Sequence, residues 1–140
     1  MELFAIMLSA ALALLTIVFH SEVLLLIERI SLRTRSKRKR LILIWISLLT
    51  AHAIEIWLYA GAFWAGDQLG LGDLNSDGTL VDYVYFSAMV FTTVGFGDII
   101  PTGELRMLAG TEALTGLCLI AWSATATYAH WSDAAHQQPS

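Results

Sequence analysis

The sequence predicts an all-α membrane protein with three spanning helices and a fourth, shorter helix that does not cross. Of its 140 residues 56% are hydrophobic and only 14% charged, which is more apolar surface than a soluble domain of this size can hide. The apolar residues gather into three long runs suited to crossing a bilayer. Seven of the eight basic residues, Arg29, Arg33, Arg35, Lys37, Arg38, Lys39 and Arg40, sit together between the first two runs.

The first run extends from Leu3 to Phe19, broken by Ser9 and Thr16, and resumes from Val23 to Ile27. It lacks a basic segment ahead of it and outlasts the apolar part of a signal peptide, so it reads as a retained span. Leu41 to Trp64 gives 24 residues, roughly 36 Å of helix for a hydrocarbon layer of ~30 Å. The third span, Leu105 to His130, is interrupted by Arg106 and Glu112 and is rich in small and hydroxylated residues that allow close helix contacts. Between spans two and three, the apolar piece from Val81 to Thr92 would extend only ~18 Å as a helix. Such a segment enters and leaves by one face or packs as a buried core helix. Thr79 and Asp82 fit a capping box, with Asp in place of the usual Glu or Gln, which starts the short helix near Leu80 and runs it to Thr92.

The basic run belongs on the cytoplasmic side. The amino terminus and the stretch from Ala65 to Gly103 then lie outside, and the tail from Ser132 lies inside. The outer stretch agrees, since it contains Asp67, Asp73, Asp77, Asp82 and Asp98 and no Lys or Arg. The chain divides into residues 1–40 (first span and basic loop), 41–131 (the remaining helices) and 132–140 (tail). The basic loop is read as a stop-transfer segment touching anionic lipid. It is too polar throughout for a voltage sensor, and no folded platform for nucleic acid accompanies it.

After the short helix comes Thr92-Thr93-Val94-Gly95-Phe96-Gly97-Asp98, which closely resembles the potassium-channel signature. The likeness is strongest from Asp82 to Pro101. Through the third span, Glu112-Ala113-Leu114-Thr115-Gly116 is similar to small bacterial ion-channel-domain proteins, and the Gly-Phe-Gly version resembles one pore unit of two-pore-domain channels. The resemblance implies a re-entrant pore helix and a filter loop, in which oxygens of Thr93, Val94, Gly95, Phe96 and Gly97 replace the hydration shell of K+. Glycine at 95 and 97 permits the positive φ that turns the carbonyls to one axis. One such segment per chain cannot close a ring, so a homotetrameric pore is implied, in a bacterial inner membrane. Residues 41–64, 80–92 and 105–130 then become the outer, pore and inner helices, with the first span on the periphery.

The same resemblance places Tyr85 and Phe86 in an aromatic collar bracing the filter. Phe96 replaces the commoner tyrosine and removes a hydroxyl tether. Met89 stands where some relatives carry a carboxylate that pairs with the filter aspartate, so Asp98 must find another partner.

Other residues carry two readings each. Gly116 lies where an inner helix of this family bends, yet glycine also serves helix contacts in lipid. Glu55, on one helical face with His52 and Tyr59, and Glu112, beside Thr111 and Thr115 and behind the filter, fit structural hydrogen bonding or proton sensing. Asp73-Leu74-Asn75-Ser76-Asp77-Gly78 resembles the first half of a calcium loop, with Asp73, Asn75 and Asp77 at positions one, three and five. Position twelve is Val84 and not Glu, so an acidic turn is favoured over weak Ca2+ binding. Cys118 reads as a small buried hydrophobe.

The function expected is passive potassium conduction. A weakly selective cation channel and a non-conducting scaffold or regulatory subunit are the alternatives. No nucleophile and base stand at recognisable spacing and no His or Cys cluster marks a catalytic metal, so an enzyme is not expected.

Overall fold

Long apolar runs with few breakers make helices, and four follow one another: α1 (Glu2–Arg33), α2 (Lys37–Gln68), α3 (Leu80–Phe91) and α4 (Leu105–His136). This computed structural model describes residues 1–34 and 36–136, and no strand occurs among them. Three of the helices are long and apolar enough to cross a membrane, and α3 is not.

The long helices overrun the expected spans at their ends. Lys37, Arg38, Lys39 and Arg40, expected in a loop, form the first turns of α2. Polar residues beyond the hydrocarbon edge can continue a helix because its backbone bonds are made internally in either solvent. Arg35 and the tail residues 137–140 lie outside the described residues.

α1 packs against both α2 and α4, and α3 packs against the same two helices from elsewhere. The inner stripe of α1 is Ala5, Ser9, Thr16, His20, Ile27 and Ser31, all buried, at alternating steps of four and seven residues. These mostly small or hydroxylated residues let the backbones approach. Ser9 Oγ donates to the Ala5 carbonyl at 2.8 Å and Thr16 Oγ1 to the Leu12 carbonyl at 3.0 Å, so no hydroxyl is left bare in an apolar setting. The opposite face, with Leu14, Leu15, Val18, Leu25 and Leu26, is exposed and suits lipid. The expected peripheral helix therefore has a lipid side, while its inner side reaches the centre of the bundle.

Cys118 is exposed, contrary to the buried reading. In a lipid solvent a small apolar side chain on an outer face loses nothing.

α3 is set by local chemistry. Thr79 Oγ1 accepts from the Asp82 N–H at 3.3 Å, and Asp82 Oδ2 accepts from the Thr79 N–H at 3.0 Å, closing the expected capping box. The Tyr83 hydroxyl donates to Asp67 near the end of α2, tying the two helices together. Burial first, and then Asp67, push the Tyr83 phenol up to about 12. Deeper in the bundle, the Phe86 ring meets Phe63 edge-on with centroids 4.9 Å apart, an arrangement favoured by the ring quadrupoles. Tyr59, Phe63, Phe91, Leu105 and Leu119 complete a core shared by α2, α3 and α4.

Candidate ion filter

The segment after α3 folds back on the helix end. The Thr93 N–H donates to the Val90 carbonyl at 2.9 Å and the Gly95 N–H to the Met89 carbonyl at 3.1 Å. Carbonyls of the last turn, otherwise unpaired, are thereby satisfied by the chain that follows. From there φ alternates in sign. Thr93 (59°), Gly95 (51°) and Gly97 (77°) are left-handed, while Val94 and Phe96 are not. Such alternation turns successive peptide groups the same way, unlike the opposed directions of a strand. Two of the three left-handed positions are glycine, which tolerates them without steric cost. Thr93 is not, and non-glycine residues held there cost ~1–3 kcal/mol, a strain found mostly at functional sites.

The side chains of this segment face outward from the chain. Val94 is 53% and Phe96 73% exposed, although both are large and apolar. A Cβ on Gly95 or Gly97 would meet nothing within 4 Å, so their φ values, not crowding inside this chain, call for glycine.

Asp98 has the partner that the sequence left open. Tyr85 Oη donates to Asp98 Oδ2 at 2.8 Å, bridging α3 to the end of the segment. That hydrogen bond, more than burial, raises the Tyr85 phenol above its ordinary value. The two collar residues are placed differently from each other. Tyr85 reaches the segment, whereas Phe86 is buried against Phe63 in the core, one residue further round the helix.

Glu112, expected behind the filter, is fully buried on α4 and reaches the middle of α3. Its Oε1 lies 2.6 Å from Ser87 Oγ, which also lies 2.8 Å from the Ile56 carbonyl, and its Oε2 has no hydrogen-bond partner. Ser87 has one hydrogen and two oxygen neighbours, so a neutral Glu112 that donates to Ser87 satisfies both contacts. Replacing Glu112 with Gln, whose amide also donates, is expected to leave thermal unfolding nearly unchanged. Glu112→Ala is expected to cost ~1–3 kcal/mol by stranding groups and opening a void, which a denaturation series in detergent can measure.

Gly116 packs where α4 meets the end of α3. A Cβ there would overlap the Phe91 carbonyl oxygen and lie 2.9 Å from its carbonyl carbon. That close approach leaves no room for a side chain, and α4 runs through Gly116 without a break.

Asp73 Oδ1 accepts from the Asn75 N–H at 2.8 Å, and Asn75 has a φ of 49°. This is an Asx turn, the ordinary use of such residues. Thr102 pins the turn, its N–H donating to the Asp73 carbonyl at 2.8 Å and its Oγ1 accepting from the Asp73 N–H at 2.9 Å.

Glu55 is where sequence reasoning fell furthest short. His52 Nδ1 lies 2.9 Å from Glu55 Oε2, as the shared helical face suggested, but His20 of α1 also joins, with its Nδ1 2.9 Å from Glu55 Oε1. Ser123 of α4 completes the cluster at 3.1 Å from the Nε2 atoms of both histidines. The available signal was His20, which opens the short polar break His20-Ser21-Glu22 between two apolar stretches of the first span.

Comparison with known proteins agrees with this geometry. A family model described as an ion channel matches residues 41–129, which take in most of α2, α3, the segment after it and most of α4. The chain is 31% identical over 93 residues to the inward rectifier potassium channel Kirbac3.1 of Paramagnetospirillum magnetotacticum, covering 64% of this chain and 30% of that protein. No solved structure matches. A short helix, a backbone of alternating φ and two flanking spans thus coincide with the matched region, and the chain belongs to the ion channel family.

Proposed function

We propose that the chain is one subunit of a homotetrameric, potassium-selective channel in which Thr93 to Gly97 form the shared filter. The observation that carries this reading is the segment itself. Its left-handed residues alternate, and Val94 and Phe96 stand open on the single chain. Irregular backbone at membrane depth is tolerated only where protein buries it or where it lines a water-filled cavity. Four copies about one axis meet both conditions, with side chains packed between subunits and carbonyls turned to the axis.

The carbonyls replace the hydration shell of K+ without a fixed full charge, and the Thr93 hydroxyl adds the innermost ligand. The carboxyl end of α3 faces the cavity and contributes partial negative charge to a cation held there. Asp98, held by Tyr85, braces the outer end. Asp73, Asp77 and Asp98 of four subunits raise the cation concentration at the mouth. Gly116 seats α4 under the filter helix, and Glu112, buried against α3, is the carboxyl through which a change in protonation would reach it. On the cytoplasmic side the Arg40 Nε, buried without a partner, lies in a recess with Ser31, Thr34 and Ser47 that suits an anionic lipid headgroup.

Native mass spectrometry of detergent-solubilised protein is expected to return a tetramer, and a stable monomer or dimer would contradict the reading. Tyr85→Phe is expected to keep the tetramer but shorten channel openings, because Asp98 loses its tether. Single-channel recording tests this, with unchanged open times counting against a bracing role.

A further inference from the structure

The cluster at the centre of the bundle lies outside the conducting segment, and its chemistry is separate from conduction. We propose that His20, His52 and Glu55 form a binding site for a divalent transition-metal ion of the zinc class, which clasps α1 to α2.

The donor set is suitable. One ligand atom from each of the three residues lies within 4.8 Å of the others. Two imidazoles and a carboxylate are a known zinc donor set. Both oxygens of Glu55 face imidazole nitrogens, so the carboxylate can bind through both and bring the donor atoms to four. His20 and Glu55 have no exposure at all. The aromatic rings of Trp122, 5.8 Å from His20, and Phe91, 5.6 Å from His52, keep the surroundings apolar. An ionised carboxylate cannot persist in such a place without a cation or a proton.

The count of hydrogens makes that need specific. The ring of contacts runs Glu55 to His20 to Ser123 to His52 and back to Glu55, four contacts in all. Two neutral imidazoles and one hydroxyl bring three hydrogens, so the ring lacks one positive charge. Ser123 fits the missing charge in two ways, as donor to one ring beside an imidazolium or as acceptor from both rings beside a metal ion. Its oxygen has two lone pairs and lies 3.1 Å from each Nε2, so it can accept from both N–H groups. That choice fixes both tautomers and turns both Nδ1 lone pairs onto the Glu55 carboxylate. Lone pairs and a carboxylate repel unless a cation stands among them. Metal-binding histidines commonly donate their other ring nitrogen to such an outer partner. A groove between α1 and α4 is lined by Ser21, Glu28, Trp122 and His130, and the Trp122 ring lies 5.8 Å from the His20 ring.

The test uses the full chain in detergent, stripped with a chelator, given Zn2+ and then desalted. Mass spectrometry of the metal is expected to find a single retained equivalent per chain, with a raised melting temperature. Substituting Co2+ should give the strong visible bands of a four-coordinate ion. His20→Gln and His52→Gln, which keep a polar side chain of similar reach, should each abolish the Co2+ bands and the thermal shift. Ser123→Ala should weaken binding about 10-fold to 100-fold. Zinc retained equally by a His20→Gln/His52→Gln double variant, or no retention by the native chain, would overturn the site and leave a ring closed by a proton. Metal content is read without any current, so this result stands or falls apart from conduction.

Discussion

Gly95→Ala is expected to abolish selective potassium flux from liposomes while circular dichroism shows the helices intact. Gly95 has a φ of 51°, and placing a side chain in that left-handed region costs ~1–2 kcal/mol per residue. In the proposed tetramer the penalty would be repeated four times, to roughly 4–8 kcal/mol. A shift of ~1.4 kcal/mol is already tenfold in an equilibrium, so the alanine backbone should leave the alternating conformation. Because the added methyl meets nothing within 4 Å in its own chain, the effect should appear in conduction and selectivity and not in folding. Normal flux in Gly95→Ala would mean that this segment does not coordinate the ion.

Gly116→Val is expected to produce the largest loss of stability among single changes in α4. Its Cβ would overlap the Phe91 carbonyl oxygen, which sits in the backbone at the end of α3 and cannot rotate away. Overpacking of this kind costs ~1–3 kcal/mol, and here it would also push α3, the helix before the proposed filter. Thermal unfolding should show a lowered midpoint, with Gly116→Ala affected in the same direction but less. Were Gly116 only a bend point, alanine would leave the midpoint alone and change the open probability instead. The two measurements therefore separate the contact from the hinge.

The elements of this fold were legible in the sequence because each rests on local chemistry. Thr79 and Asp82 stand three apart and cap the same helix turn, so the start of α3 could be placed from the sequence. The spans followed from hydropathy, but their ends did not, because Lys37 to Arg40 continue α2 beyond the apolar run. The site was legible only along the chain. Thr93 to Asp98 form one contiguous motif, and His52 and Glu55 sit one helical turn apart. By contrast Tyr85 and Asp98 are 13 residues apart, His20 and Glu55 are 35 apart, and His20 and Ser123 are 103 apart. Such pairs depend on how helices are laid side by side, which periodicity within one helix does not specify. Phe86 illustrates the same limit. Its neighbour Tyr85 faces the filter segment, and only packing against Phe63 shows that Phe86 belongs to the core.

The reversal potential of the purified protein in a planar bilayer, with potassium on one side and sodium on the other, tests the central claim most directly. A selective carbonyl filter at Thr93 to Gly97 predicts a potential close to the potassium equilibrium value, and predicts that Gly95→Ala removes it. A potential near zero with clear channel openings would contradict selectivity and leave a general cation pore. Verified tetramers that pass no current under any applied voltage would contradict conduction itself.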